Sequence, residues 1–292
     1  MPKPVIITAD SSADLPPEIC AEFGIHFMPI YVSVEGKTGR DCIDIFPMEI
    51  WDAFRARGSL PKTAAPSMAE YQEFFESFTK TGADVVHISL NNTFSSCFHV
   101  AALAAEEVNA AGKGTVFVVD SRNFCTSQGM LCVQAALLRG QGLAAGNIAE
   151  RICALRGKVR GFYYLDGITF LSKSGRAPAI VALGAALFNL HPAVSMDGNT
   201  GETVIGKKYR GKSAAAAENW LRDTIRKFLD TCDPSLCFFM HTPEMPPEQF
   251  EPMNRIAEKE LAGVERLIMD TVGCVIVSHV GGNCYALIGM EK

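Results

Sequence analysis

The chain has 292 residues, 48% of them hydrophobic and 20% charged, and a net charge of -5. The length suits two domains rather than one or three, and the acidic balance excludes a pull toward nucleic acid or an anionic membrane surface. No apolar stretch reaches the ~18 residues of a membrane span and no signal-peptide core follows Met1-Pro2-Lys3, so a cytoplasmic location is expected.

The first half alternates β-branched runs with helical patterns. Val5-Ile6-Ile7-Thr8-Ala9 predicts a strand, and the polar stretch Asp10-Ser11-Ser12-Ala13-Asp14 follows it. Pro61-Lys62-Thr63-Ala64-Ala65-Pro66 reads as a loop before Ser67-Met68-Ala69-Glu70, a capping-box pattern that starts a helix. Thr63 is therefore placed just ahead of a helix N-terminus. Tyr71, Phe74, Phe75 and Phe78 recur at helical spacing and are expected to face the core. Val85-Val86-His87-Ile88-Ser89-Leu90 predicts a second strand, then Asn91-Asn92-Thr93 and an Ala-rich helix to about Val108. Thr115-Val116-Phe117-Val118-Val119 predicts a third strand, then Asp120-Ser121 and a helix through Leu137. Buried strands alternating with helices argue for a parallel sheet covered on both faces.

Ligands in such sheets bind at the carboxyl ends of strands. Asp10, Ser11, Asn91, Asn92, Ser95, Asp120 and Ser121 all fall there. Helix N-capping uses the same residue types. It is the better reading of any one of them, whereas the set points to a site.

The break between halves is expected at residues 157–161, dividing the chain into 1–158 and 159–292. The second half offers Leu171-Ser172-Lys173-Ser174-Gly175-Arg176, a turn at Asp197-Gly198-Asn199-Thr200-Gly201 and a helix over 214–229. Strands are expected over 236–240, 273–277 and 286–288, and a Pro-rich loop over 243–252 leads into a helix.

Three chemistries can be weighed from the residues alone. The 10 cysteines contain no C-x-x-C pair, so they read as buried free thiols and no metal site is expected. Gly206-Lys207-Lys208-Tyr209-Arg210-Gly211-Lys212-Ser213 matches the phosphate-loop pattern and precedes a helix. Its bulky cationic interior and an upstream acidic strand in the other half favour a basic, solvated turn over a nucleotide site. A serine hydrolase using Ser95 and His279 is the third option. No G-x-S-x-G elbow supports it, although a triad is defined by geometry. His279 leads into Val280-Gly281-Gly282-Asn283, which suits close backbone approach to a ligand as well as it suits a plain turn.

In order along the chain stand Asp10-Ser11-Ser12-Ala13-Asp14-Leu15-Pro16, Pro61-Lys62-Thr63-Ala64-Ala65-Pro66-Ser67, Phe94-Ser95-Ser96-Cys97-Phe98 and Asp120-Ser121. They are followed by Leu171-Ser172-Lys173-Ser174-Gly175-Arg176, Arg210-Gly211-Lys212-Ser213-Ala214 and His279-Val280-Gly281. Along its whole length the chain so resembles the DegV family of bacterial fatty-acid-binding proteins. The resemblance implies two α/β domains: an N-terminal parallel sheet with helices on both faces and a C-terminal domain with a mixed sheet that completes an acyl tunnel. It implies that Thr63 and Ser95 hold the carboxylate of a long-chain fatty acid. His279, Arg176, Ser121 and Asn92 are expected near the site or at a docking surface. It also implies a partner, a fatty acid kinase that phosphorylates the bound carboxylate, and no catalysis, cofactor or metal of the chain's own. Ala64, Ser96, Cys97, Phe98, His191 and Gly282-Asn283 depart from the family pattern.

Overall fold

Short β-branched runs with few polar interruptions form strands buried on both faces. The computed structural model describes residues 3–176 and 190–292. Its first strands are β1 (Val5–Asp10), β2 (Ile25–Met28), β3 (Tyr31–Val34), β4 (Lys37–Arg40), β5 (Lys62–Ala64), β6 (Asp84–Ser89) and β7 (Val116–Asp120). Four of them make a sheet in the order β2-β1-β6-β7, every neighbouring pair parallel. Strands β4-β3-β5 form a separate three-stranded sheet.

Helices cover both faces of the parallel sheet. Val85 and Val116 are paired in register and pack with Tyr71 and Phe75 of the helix Met68–Thr79 and Ala101 and Ala104 of the helix Cys97–Ala110. Phe117, one residue on, points the other way and meets Gly146 of the helix Ala145–Leu155. Tyr71 and Phe75 are fully buried, while Phe74 and Phe78 are half-buried against the same cluster. The capping box forms as the pattern predicts. Ser67 Oγ accepts from the Glu70 N–H at 3.3 Å, and the Glu70 carboxylate accepts from the Ser67 N–H at 2.8 Å.

The later strands are β8 (Val159–Tyr164), β9 (Leu190–Met196), β10 (Thr203–Arg210), β11 (Cys237–His241), β12 (Leu267–Thr271) and β13 (Tyr285–Met290). They form a six-stranded mixed sheet, β10-β9-β8-β13-β11-β12, with only the β11–β12 pair parallel. Its core gathers Trp220, Leu221 and Phe228 of the helix Ser213–Thr231 against Phe239, Tyr285 and Leu287 of the sheet.

The chain divides into two compact units. One holds Met1–Tyr31, Thr63–Gly157 and Gly198–Gly201; the other holds Val32–Lys62, Lys158–Asp197 and Glu202–Lys292. This differs from a single cut after residue 158. Val32–Lys62 groups with the later half because its turn at Asp41–Ile45 binds the helix Cys274–Val280: the Cys274 N–H donates to Asp41 Oδ1 at 2.9 Å. Gly198–Gly201 groups with the earlier half because Asn91 Nδ2 donates to the Gly201 carbonyl at 2.7 Å.

The strand expected over 273–277 is instead the helix Cys274–Val280. A short apolar run cannot be assigned by periodicity when it is buried on every side, and Cys274, Val275, Ile276, Val277 and Ser278 all are. The neighbouring strand is β12, six residues earlier. The expected Pro-rich loop is also shorter, because the helix Pro247–Glu260 begins within it and carries Pro252 in its first turns.

Candidate ligand-binding site

β1, β6 and β7 run parallel, so the polar residues that end them gather at one edge of the sheet. Asp10 closes β1 and is fully buried. Its Oδ1 accepts from the Tyr71 hydroxyl, and its Oδ2 accepts from Ser89 Oγ and from the Leu90 N–H, both at 2.7 Å. His87 Nε2 lies 3.3 Å from Oδ1. Burial pushes this carboxyl up, but the electrostatic interaction with His87 and the hydrogen bonds from Tyr71 and Leu90 outweigh it, so Asp10 sits below its usual value.

The loops after β6 and β7 are stitched to each other. Ser121 N–H donates to the Ser89 carbonyl at 3.1 Å, and Asn91 N–H to the Asn123 carbonyl at 3.1 Å. Asp120 Oδ1 accepts from the backbone N–H of Asn92 at 3.2 Å and of Arg122 at 3.1 Å. Ser95 hangs from this frame through its N–H to the Asn91 carbonyl, 3.2 Å. It is half-buried, two residues before the helix Cys97–Ala110. Its hydroxyl accepts from the Cys97 N–H at 3.2 Å and donates to Cys97 Sγ at 3.1 Å. Burial, and then the Asp10 charge, push the Cys97 thiol up to about 12. The thiol stays protonated and neutral, and it offers Ser95 only a weak acceptor.

The residues expected at the site take different places. Thr63 lies half-buried in the middle of β5, four residues ahead of the helix cap Ser67, and not at a helix N-terminus. Ser121 is fully buried, and its hydroxyl is spent on its own turn, donating to the Asn123 carbonyl at 2.9 Å and accepting from the Asn123 N–H at 3.1 Å. Asn92 is exposed and fixed through its backbone. Asp10, Ser11 and Ser12 also brace the frame: Ser11 Oγ accepts from the Ile30 N–H at 3.1 Å, and Ser12 Oγ donates to Gln128 Oε1 at 2.9 Å.

His279 and Arg176 belong to the second unit. His279 stands in the last turn of the helix Cys274–Val280, where burial and then the Arg176 charge push its imidazole down to about 4. It is neutral at physiological pH. Arg176 is exposed, with Nη1 donating to the Ser174 carbonyl at 2.6 Å. The turn after His279 is built on positive-φ backbone. Gly281 has φ 78°, and a Cβ there would meet the Phe170 ring at 2.7 Å. Asn283 has φ 56°, and its N–H donates to the buried Glu244 carboxylate at 2.6 Å. His191, another departure from the family pattern, reaches the Asp166 carbonyl through Nδ1 and the Gly211 carbonyl through Nε2, each at 3.1 Å.

Two other chemistries find no support in this geometry. Five residues of the phosphate-loop match, Gly206, Lys207, Lys208, Tyr209 and Arg210, lie in β10, and the last three pair antiparallel with β9. Lys207 Nζ and the Tyr209 hydroxyl both donate to Asp223 Oδ2. An extended strand turns alternate N–H groups to opposite sides and cannot wrap a phosphate. For a hydrolase, Ser95 Oγ would need a base, and among the described residues both of its hydrogen bonds are with Cys97.

Sequence reasoning missed Tyr71 and His87 as partners of Asp10. Tyr71 reads as one more aromatic of a helical stripe, and His87 as one residue of a buried strand. Their single signal is a polar tip in an otherwise apolar position.

Comparison with known proteins gives one consistent result. The model of the DegV family, described as uncharacterised proteins, matches residues 4–292. A DegV domain-containing protein of Caldanaerobacter subterraneus subsp. tengcongensis is 27% identical over 289 residues, 99% of each chain. The structure of a DegV family protein from Thermus thermophilus, described as showing fatty acid binding, superposes with a TM-score of 0.85 at 24% identity, over 99% of this chain and 100% of that one. A stearic acid-binding protein from Eubacterium ventriosum superposes with a TM-score of 0.83 at 22% identity, over 100% and 99%.

Proposed function

This chain belongs to the DegV family, and on that premise we propose that it binds a long-chain fatty acid and presents the carboxylate to a partner fatty acid kinase. The observation that carries the reading is the state of Ser95. Its hydroxyl is positioned by the Cys97 N–H, while its own proton is given to a neutral sulfur. A carboxylate oxygen is a far stronger acceptor and would take that proton in exchange at little cost. Thr63 supplies the second hydroxyl. The acyl tail supplies most of the affinity: burying ~14 methylenes at ~0.8 kcal/mol each yields ~11 kcal/mol before the costs of association. The fatty-acid-binding relatives from Thermus thermophilus and Eubacterium ventriosum support the same ligand class.

The chain is read as a carrier with no catalysis of its own. A hydroxyl that binds an anion needs no base, and among the described residues both hydrogen bonds of the Ser95 hydroxyl are with Cys97. His279, neutral at physiological pH, and the exposed Arg176 are proposed to lie toward the tunnel mouth, Arg176 contributing to the docking of the kinase.

The test combines recovery and affinity. Denaturing extraction followed by mass spectrometry should recover a saturated or monounsaturated fatty acid at near-stoichiometric amounts. Ser95→Ala should weaken binding of added palmitate by about 10–100-fold, the loss of one hydrogen bond to a charged group, with the circular dichroism spectrum unchanged. Trace lipid only, with no palmitate binding, would overturn the ligand assignment. Unchanged affinity in both Ser95→Ala and Thr63→Ala would overturn the head-group placement. Hydrolysis of acyl esters by the isolated protein, abolished in Ser95→Ala, would overturn the carrier reading.

A further inference from the structure

Asp41 and Cys42 are adjacent in the chain and Cys274 lies more than two hundred residues further on, and the second unit brings the three together. One carboxylate oxygen and both sulfurs lie within 4.8 Å of one another. Asp41 and Cys274 are buried and Cys42 is exposed. Cys42 Sγ is 3.3 Å from Asp41 Oδ1, which also accepts from the Cys274 N–H at 2.9 Å. Cys274 Sγ points to the Ile45 carbonyl at 3.1 Å. Both cysteines are free thiols.

We propose that Asp41, Cys42 and Cys274 form a binding site for a thiophilic divalent cation of the zinc class. Two thiolates and a carboxylate are the donor set that selects such a cation, whereas calcium and magnesium require oxygen donors throughout. The spacing suits the ion. With Zn–S about 2.3 Å and Zn–O about 2.0 Å, the S–O edge of a tetrahedron is roughly 3.5 Å. The Cys42–Asp41 pair is already near that length. Binding replaces the two S–H protons, which pass to solvent, by two metal–sulfur bonds. Three protein ligands leave a fourth position on the side of exposed Cys42, for water or an exogenous ligand. The cation would fasten the turn at Asp41–Ile45 to the first residue of the helix Cys274–Val280, whose last turn carries His279.

The site is tested on the full chain, reduced and stripped of metal, by titration with Co²⁺ and then Zn²⁺ in competition with a chromophoric chelator. One equivalent of Co²⁺ is expected to give thiolate-to-cobalt charge transfer and the intense visible bands of tetrahedral coordination, both removed by Zn²⁺. Cys42→Ser changes an exposed residue and should abolish the charge-transfer band and weaken Zn²⁺ binding at least about tenfold. Cys274→Ser should do the same, and Cys153→Ser, an exposed cysteine outside the cluster, should leave both unchanged. Uptake well below one equivalent, an octahedral spectrum, or an undiminished signal in Cys42→Ser would overturn the proposal. The readout is independent of lipid, so it stands or falls apart from fatty-acid binding.

Discussion

Asp10 is a carboxyl with no access to water, held by Tyr71, Ser89, Leu90 and His87. Its folded value lies below the ordinary 3.8, so the unfolded chain takes up the proton first as pH falls. The stability it contributes is present above about pH 4 and is lost as pH drops through the lower folded value. Asp10→Asn should cost about 3 kcal/mol at neutral pH, the loss of a buried charged partner, and should flatten the acid limb of stability measured by urea unfolding. His279 works in the same direction over a different range. Its value falls from 6.5 to about 4, so the unfolded chain binds the proton between those limits while the folded chain does not. Stability should fall from about pH 6.5 to pH 4, and His279→Gln should reduce that slope, the remainder coming in part from His241, which burial also lowers. The positions of Asp10 and Ser95 are legible in the sequence, because each follows a run that can only be a buried strand. The partners of Asp10 are not, since Tyr71 and His87 arrive from a helix stripe and a strand interior that pattern alone reads as core.

Elements are decided by local pattern where the pattern is long, and by neighbours where it is short. The helix Met68–Thr79 has a capping box and a stripe of aromatics, and it forms where both predict. β5 has three residues, too few for any periodicity, and Thr63 is thereby moved from a helix entry to a strand. Gly129 shows the neighbours at work inside the helix Cys125–Gly140. A Cβ there would stand 2.6 Å from the Ala13 carbonyl and 2.7 Å from Leu15 Cδ2. Gly129→Ala gains about 1 kcal/mol of helix propensity, yet should destabilise the protein by about 1–3 kcal/mol through overpacking. A net rise in the urea midpoint would show that Ala13 and Leu15 give way. Most of the basic run lies in the strand β10, so ATP with magnesium should not raise Tm; a rise that Lys212→Ala abolished would restore the nucleotide reading.

For the whole molecule, removal of the proposed lipid should lower Tm by several degrees, with palmitate restoring it. A ligand at 100 times its Kd stabilises by about 2.7 kcal/mol. Equal Tm with and without lipid would separate the fold's stability from its proposed cargo. Among the described residues no helix is long and apolar enough to cross a membrane. The sequence by itself determined the α/β class, the parallel first sheet and the order of motifs that place the chain in its family. Those properties rest on β-branched runs, caps and turn residues, which act within a few residues of one another. Only the tertiary structure decided that Val32–Lys62 packs with the later half, that Ser121 is spent on its own turn, and that 273–277 is helical. It alone joined Asp41 and Cys42 to Cys274. Such pairings depend on which surfaces meet after the chain has folded, and spacing along the chain carries no record of them.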